Sequence, residues 1–416
     1  MIEKPKGTKS MLPQDSFRWQ FIADNIRKLM TLYCASEIRT PTFEYTELFL
    51  RGVGDSTDIV NKEMYTFLDK GGRSITLKPE GTAGVVREFV ESGMFNDPQP
   101  TKLYYIMPSF RYENPQAGRL REFHQFGVEY FGASSPKADF EGISVAIDFL
   151  KALKFRDFKL HLNSIGCPEC RKKYNEVLTN FLGSKLKVMC PDCNRRFKTN
   201  PLRILDCKNE DCKKILKCVP KVTDFLCDEC KIHFTQVQKL LKDAKIDFIV
   251  DGDLVRGLDY YTKTVFEIMT DIKGVGTITL VGGGRYDNLV ESLDGPKTPA
   301  FGFGCGIERL LFALEKSEIE ICEPQKTLVY ITKATELNTN LDIEIAVKLR
   351  EKGISCEVDL CDRSFKAQFK YANKLGVKYN IIIGEKELAG GKITLKDMTS
   401  GQEQQVEADK VADLIK

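Results

Sequence analysis

The sequence predicts a multidomain chain of mixed class, α+β over its larger N-terminal part and α/β at its C-terminal end. Three observations predict this. Two long strand-like runs are joined by turn-forming residues, a cysteine- and lysine-dense helical stretch begins near residue 167, and strands alternate with helices beyond residue 326. At 416 residues the chain exceeds one ordinary core, so two or three domains are expected.

The elements follow in order. Phe17, Phe21, Ile22, Ile26, Leu29 and Tyr33 recur at helical spacing and predict an amphipathic helix over 17–33. Residues 37–40 read as a strand stopped by Pro41. Strands are expected near 103–113 and 121–131. Between them, Asn114-Pro115-Gln116-Ala117-Gly118 is rich in turn formers, so the two should pair as an antiparallel hairpin. From Cys167 to about Leu241 the chain is mostly helical, and strand character returns at 248–250 and 265–269. Glycine-rich stretches occupy 282–284 and 302–306, and 322–326 reads as a linker. The remainder predicts strand 327–332, helix 341–351, strand 354–360, helix 365–375 and strand 379–384, a small α/β domain around a parallel sheet. No internal repeat or low-complexity tract is present.

The bulk composition narrows the function. With 62 basic and 59 acidic residues the net charge is +3, so any nucleic-acid contact must come from local patches. The first 17 residues hold no apolar run and no stretch reaches the roughly 18 apolar residues of a membrane helix, so a cytoplasmic protein with no membrane association is expected. In that compartment the 14 cysteines are thiols or metal ligands. His124, His161 and His233 are the only histidines, which excludes a site built on several of them.

Side chains alternate faces along a strand. In the second hairpin strand Phe126, Val128 and Tyr130 form an ordinary core face, while Arg121, Phe123, Gln125, Gly127 and Glu129 share the other. That second set, with an aromatic, an amide and a carboxylate around a glycine, is either an exposed polar strand or a binding face. Gly127 would leave a gap for a ligand.

Read together, the two strands resemble motif 2 of the class II aminoacyl-tRNA synthetases: Phe110-Arg111-Tyr112-Glu113, a loop, then Arg121-Glu122-Phe123. Gly304-Cys305-Gly306-Ile307-Glu308-Arg309-Leu310 resembles motif 3, although alone it is also an ordinary helix start with a surface arginine. Ser36 to Pro41 fits motif 1 weakly. Three longer matches resemble the histidyl-tRNA synthetase family: residues 77–84 (LKPEGTAG), residues 123–129 (FHQFGVE), and residues 254–261 (LVRGLDYY) followed by 283–287 (GGRYD).

The resemblance implies a class II antiparallel-sheet catalytic domain over 1–325, a cysteine-rich helical insertion at 167–245 within it, and an α/β anticodon-binding domain at 326–416. It implies a homodimer that uses ATP and Mg²⁺ to ligate histidine to tRNA through a histidyl-adenylate. Arg111 and Arg309 would bind ATP phosphate, with Glu113, Arg121 and Phe123 around the nucleotide. Glu80, Thr82 and Gln125 would hold the substrate amino group. Glu129 and Tyr261, beside Tyr260, would flank the imidazole, whose donor and acceptor nitrogens suit a carboxylate and a phenol. Arg256 would contact the α-phosphate and the substrate carboxylate; otherwise it is a structural ion pair with Asp251, Asp253 or Asp259. Lys78 and Tyr112 depart from the arginine and histidine common at those positions. A silent paralogue that binds histidine or tRNA is the competing class. Retention of Arg111, Arg256, Arg309, Glu129 and the C-terminal domain argues against it.

Cys167, Cys170, Cys190 and Cys193 form two Cys-x-x-Cys pairs at the spacing of a four-cysteine structural zinc site, or are free thiols in a helical segment; Cys207, Cys212, Cys218, Cys227 and Cys230 follow, the last two a third such pair. Lys366, Lys370, Lys374 and Lys378 recur every four residues opposite Phe365, Phe369 and Ala372. That stripe is a solvated face or, as the resemblance implies, an anticodon contact. The lysine-rich insertion would lean over the acceptor stem.

Overall fold

The computed structural model describes residues 1–54, 57–116, 118–324, 327–334 and 339–415. The chain divides into two compact units, Met1–Ile321 and Cys322–Lys416. The expected boundary at 325/326 falls outside the described residues, as does Ala117 of the hairpin loop.

The first unit is built on an eight-stranded sheet. Its order is Ser36–Glu37, Thr101–Phe110, Glu122–Phe131, Ala300–Gly306, Gly276–Arg285, Thr262–Ile272, Lys159–Ser164, Ile249–Val250. The two outermost pairings are parallel and the interior ones antiparallel. The predicted hairpin is at its heart, in register from Thr101 opposite Phe131 to Phe110 opposite Glu122. The strand expected at 37–40 is only Ser36–Glu37, because the chain leaves the sheet edge after Ile38 bonds the Tyr104 carbonyl.

One sheet face is the core the alternation foretold. Phe126, Val128 and Tyr130 pack with Phe266, Ile268, Phe301 and Phe303. Helices Pro13–Leu32, Pro136–Ala152 and Ile307–Lys316 cover that face through Ile22, Ile26, Phe149 and Leu310. The opposite face carries the polar residues. A smaller three-stranded sheet of Phe43–Tyr45, Ser74–Leu77 and Tyr65–Leu68 precedes helix Thr82–Glu91. The cysteine-rich segment is helical as expected, with helices Pro168–Gly183, Pro191–Thr199, Glu210–Leu216 and Asp228–Asp243. It leaves from Lys159–Ser164 and returns at Ile249–Val250, which pair side by side. Leu178, Leu182, Leu202 and Ile204 join it to the core beneath the polar face.

One buried network ties these layers. Arg285, at a strand end, ion-pairs with Asp139 of Pro136–Ala152, and both side chains are fully buried. His233 of Asp228–Asp243 bonds the same carboxylate at 3.1 Å. Arginine beside it holds the Asp139 carboxyl below the usual range despite its burial.

The second unit is a five-stranded sheet ordered Cys356–Val358, Val329–Lys333, Tyr379–Ile383, Ile393–Asp397, Glu403–Val406. The first three are parallel, as the alternation predicts, and an antiparallel hairpin extends the sheet. Helix Phe365–Leu375 buries Gln368 and Ala372 and stops at left-handed Gly376. Lys366, Lys370 and Lys374 are exposed on it, whereas Lys378 lies past its end and Phe365 is exposed, so both the stripe and the apolar face are shorter than expected. Among the described residues no helix is long and apolar enough to cross a membrane.

Candidate active site

The polar sheet face opens into a cavity of about 590 Å³, a size that suits a nucleotide with a small partner. Its wall draws on the hairpin, the start of helix Thr82–Glu91, the 256–261 loop, strands Thr262–Ile272 and Gly276–Arg285, and the Gly304–Arg309 turn.

At one end the wall is cationic. Arg111 continues the hairpin ladder beyond Phe110 through its amide bond to the Arg121 carbonyl, at 2.8 Å. Its Nε donates to the Pro79 carbonyl at 2.8 Å, and its guanidinium lies 5.3 Å over the Phe123 ring. Arg309, on the first turn of Ile307–Lys316, donates to the Thr279 carbonyl at 3.3 Å. Burial, and then the nearby Arg119 and Arg111 charges, push the Arg309 pKa down. Three guanidiniums on this wall share one nearby carboxylate, Glu113, so positive charge is left in excess, which suits a polyanionic ligand. Glu113 takes a bond from Arg119 at 3.1 Å and is 3.9 Å from Arg111.

Arg256 lies along the wall, ion-paired with Glu267 and 5.7 Å over the Tyr261 ring. Thr279 donates to the other Glu267 oxygen at 2.8 Å. The buried Arg256 Nε has no partner among the described residues. Gly282 makes the room, since a Cβ there would stand 2.5 Å from Arg256 Nη1. The partner is thus none of the three aspartates considered from sequence. Asp251 instead meets His161 at 3.0 Å, Asp253 meets Lys221 at 2.5 Å, and Asp259 accepts from Asn200 at 2.7 Å.

Another part of the wall is dense in hydroxyls and carboxyls. Glu80 accepts the amides of Thr82 and Ala83 at 2.7 and 2.8 Å, so it caps the helix while lining the cavity. Glu129 is fully buried one layer behind the wall. It accepts from Thr82 at 2.7 Å and Tyr105 at 3.3 Å, and from the Tyr286 hydroxyl. Burial pushes its carboxyl up to about 8, against the opposing pull of the Tyr286 and Thr82 bonds. Burial likewise keeps Tyr105, Tyr260, Tyr261 and Tyr286 protonated, as hydrogen-bond donors. Ser109 donates to Gln125 at 3.1 Å, fixing the amide on the wall.

The predicted set is therefore brought together with two exceptions. Arg111, Glu113, Phe123, Gln125, Glu80, Thr82, Arg256, Tyr260, Tyr261 and Arg309 line the cavity. Glu129 lies behind it, and Arg121 stands outside, stacked 3.8 Å over Tyr112 with its Nε on the Glu113 carbonyl at 3.2 Å. The expectation for Gly127 is also corrected. Its gap is filled by the Tyr105 ring, directly across the hairpin, not by a ligand. The expected Cys167–Cys193 quartet is divided as well: Cys167 and Cys170 meet Cys227 and Cys230, while Cys190 and Cys193 meet Cys207 and Cys212. The buried Lys78 donates to the Thr40 carbonyl at 3.2 Å, and burial lowers it to about 8.

Sequence reasoning missed Arg119, Tyr105, Glu267, Asp206 and Lys208. A tyrosine facing a glycine across a hairpin was available as a signal for Tyr105; Glu267, between core residues Phe266 and Ile268, was available from alternation. Asp206 and Lys208 reach the wall only through the fold of the cysteine-rich segment.

A family model described as Histidyl-tRNA synthetase matches residues 7–169 and 195–310, and one described as Anticodon binding domain matches 327–416. The chain is 52% identical to the histidine–tRNA ligase of Caldanaerobacter subterraneus subsp. tengcongensis over 417 residues, all of both chains. It is 49% identical to that of Clostridium botulinum over 415 residues, 100% of this chain and 99% of the other. Among solved structures, the apo histidyl-tRNA synthetase of S. aureus superposes with a TM-score of 0.84 at 40% identity, with all of both chains covered.

Proposed function

The chain belongs to the histidyl-tRNA synthetase family, and from that membership we propose how its cavity serves the joining of histidine to tRNA. It is a histidine–tRNA ligase working through the adenylate route. The histidine carboxylate attacks the α-phosphate of ATP and displaces pyrophosphate. A terminal ribose hydroxyl of the tRNA then takes the histidyl group and releases AMP.

In this reading Arg111 and Arg309 hold the phosphates, Phe123 stacks on the adenine and Glu113 meets its amino group. Arg256 bridges α-phosphate and substrate carboxylate, stabilising charge as it builds on the phosphorus oxygens. Glu80, Thr82 and Gln125 receive the amino group. Glu129 and Tyr261, with Tyr260 beside them, read the imidazole. Glu129 is already the acceptor on which three hydroxyls converge. Arg121 acts as a positioning residue that braces Tyr112 and Glu113. Mg²⁺ enters with ATP to neutralise its phosphates. Glu113 and Glu267 are engaged by arginines, so Asp206 is the wall carboxylate that would be offered to a Mg²⁺ carried in by ATP, where the ion would offset phosphate charge.

Met1–Ile321 is the catalytic part, the cysteine-rich segment its zinc-stapled insertion toward the acceptor stem, and Cys322–Lys416 the anticodon reader. A homodimer formed around the Ser36–Glu37 edge fits the exposed Phe43, Tyr45, Phe67 and Leu68 of the neighbouring small sheet. The cytoplasm supplies ATP and tRNA and keeps the 14 cysteines out of disulfides.

The observation that carries the proposal is the single cavity shared by Arg111, Arg256 and Arg309 with Glu80, Thr82 and Gln125. ATP–pyrophosphate exchange, run with each amino acid singly, tests it. Exchange is expected with histidine alone. Exchange with another amino acid, or none, rejects it.

A further inference from the structure

The spacing of Cys-x-x-Cys pairs joins neighbours in sequence, but the fold joins different ones. Cys167, Cys170, Cys227 and Cys230 form one group, and Cys190, Cys193, Cys207 and Cys212 another; within each group all four sulfurs lie within 4.8 Å of one another. Cys167 and Cys170 sulfurs are 3.6 Å apart, and those of Cys190 and Cys207 3.7 Å. A disulfide requires about 2.05 Å. Four sulfurs about 2.3 Å from one zinc stand about 3.8 Å from each other.

The surroundings suit thiolates. Cys167, Cys190 and Cys227 are the N-caps of Pro168–Gly183, Pro191–Thr199 and Asp228–Asp243, where the helix dipole favours negative charge. The Cys227 amide donates to Cys170 Sγ at 3.1 Å, and the Cys190 amide to Cys212 Sγ at 3.2 Å. Gly166 has φ +69°, and a Cβ there would overlap Cys170, so the first knuckle is built around a glycine. Several thiolates confined this closely repel unless a cation sits among them, and four soft sulfurs at this spacing suit zinc or iron, of which zinc is the usual structural ion.

We propose that the segment binds two zinc ions, one on each cysteine group, and that the second site positions part of the active-site wall. This deepens the structural-zinc reading above. The first site joins the start of the segment to its last helix and closes it onto the sheet. The second has a different consequence, because Cys207 is flanked by Asp206 and Lys208, both of which line the cavity. Its helix Pro191–Thr199 also carries Arg195 and Arg196, which hold Asp58, outside the cysteine-rich segment, at 3.1 and 3.0 Å. Metal there fixes this part of the wall, so Asp206 and Lys208 are positioned through Cys207.

The full chain, produced with zinc in the medium and desalted, is assayed by plasma mass spectrometry. Two zinc per chain are expected, and a mercurial titration should release each zinc for four thiols. Cobalt reconstitution of the wild type should take two equivalents with thiolate-to-cobalt charge-transfer bands. Cys193→Ser/Cys212→Ser should retain one zinc and raise KM for ATP or tRNA by about tenfold with a smaller change in kcat. Cys170→Ser/Cys230→Ser should also retain one zinc, with KM near wild type. One zinc per folded wild-type chain, none, or iron in its place overturns the proposal. An unchanged KM in a one-zinc Cys193→Ser/Cys212→Ser protein overturns the positioning role. Metal content is read without catalysis, so failure of the ligase reading leaves the count interpretable, and the reverse.

Discussion

Replacing Arg256 by alanine separates chemistry from architecture. Its guanidinium faces the cavity and pairs with Glu267, their side chains retaining 18% and 15% of their surface in solvent. Among the described residues, truncation leaves the Glu267 carboxylate with only the Thr279 hydroxyl, at 2.8 Å. Breaking a buried pair costs about 3–5 kcal/mol. Residual solvent and the Thr279 bond place this one near the lower end, at about 3 kcal/mol. With Arg256 at the reacting phosphate, as proposed, loss of its preorganised charge would cost a further 10²–10³ in rate, about 2.7–4 kcal/mol of barrier. The variant should therefore show a lower urea midpoint and histidine-dependent pyrophosphate exchange down by about two to three orders of magnitude. The double variant Arg256→Ala/Glu267→Gln removes the stranded charge. Stability should return most of the way while exchange stays low, giving a large coupling energy in stability and little in rate. Exchange within tenfold of wild type in Arg256→Ala, or its recovery in the double variant, would refute the catalytic role and leave Arg256 a structural ion pair.

Three further outcomes are expected. Gly127→Ala pushes a methyl into the Tyr105 ring and loosens its bond to Glu129; overpacking of this kind should cost about 1–3 kcal/mol in denaturant unfolding and raise KM for histidine more than KM for ATP. Glu129, held at about 8 in the fold against 4.5 in a free chain, favours folding only while protonated. Between those values the unfolded chain loses its proton first, so wild-type stability should fall relative to Glu129→Gln as pH rises from about 4.5 to 8 and level off above; a pH-independent difference in paired unfolding curves counts against the raised carboxyl. Lys366→Gln/Lys370→Gln/Lys374→Gln removes exposed charges from one helix, and the slope of log affinity for tRNA against log salt should flatten by about 0.7–0.9 for each phosphate no longer neutralised, measured by filter binding.

Much of the cavity was legible because local patterns carry it. Alternation in residues 121–131 alone separates the core face of Phe126, Val128 and Tyr130 from the face bearing Phe123 and Gln125, and the sheet obeys it. Arg111, Arg256 and Arg309 sit in short recognisable runs, and all reach the cavity. The strand–helix alternation of the C-terminal unit likewise foretold its parallel strands, though not the hairpin that extends them.

What the sequence determined by itself was therefore each segment's periodicity, and with it which side chains share a face and which kind of element bears them. Tertiary structure alone decided the partners. Cys170 meets Cys227, 57 residues on, rather than Cys190; Arg256 meets Glu267 rather than a nearer aspartate; Tyr105 fills the space beside Gly127; and Arg121, on the predicted face, ends outside the cavity over Tyr112. Periodicity arises from the backbone geometry of adjacent residues, whereas a partner across the chain is set by how sheets, helices and insertion close on one another, and no short window of residues contains that path.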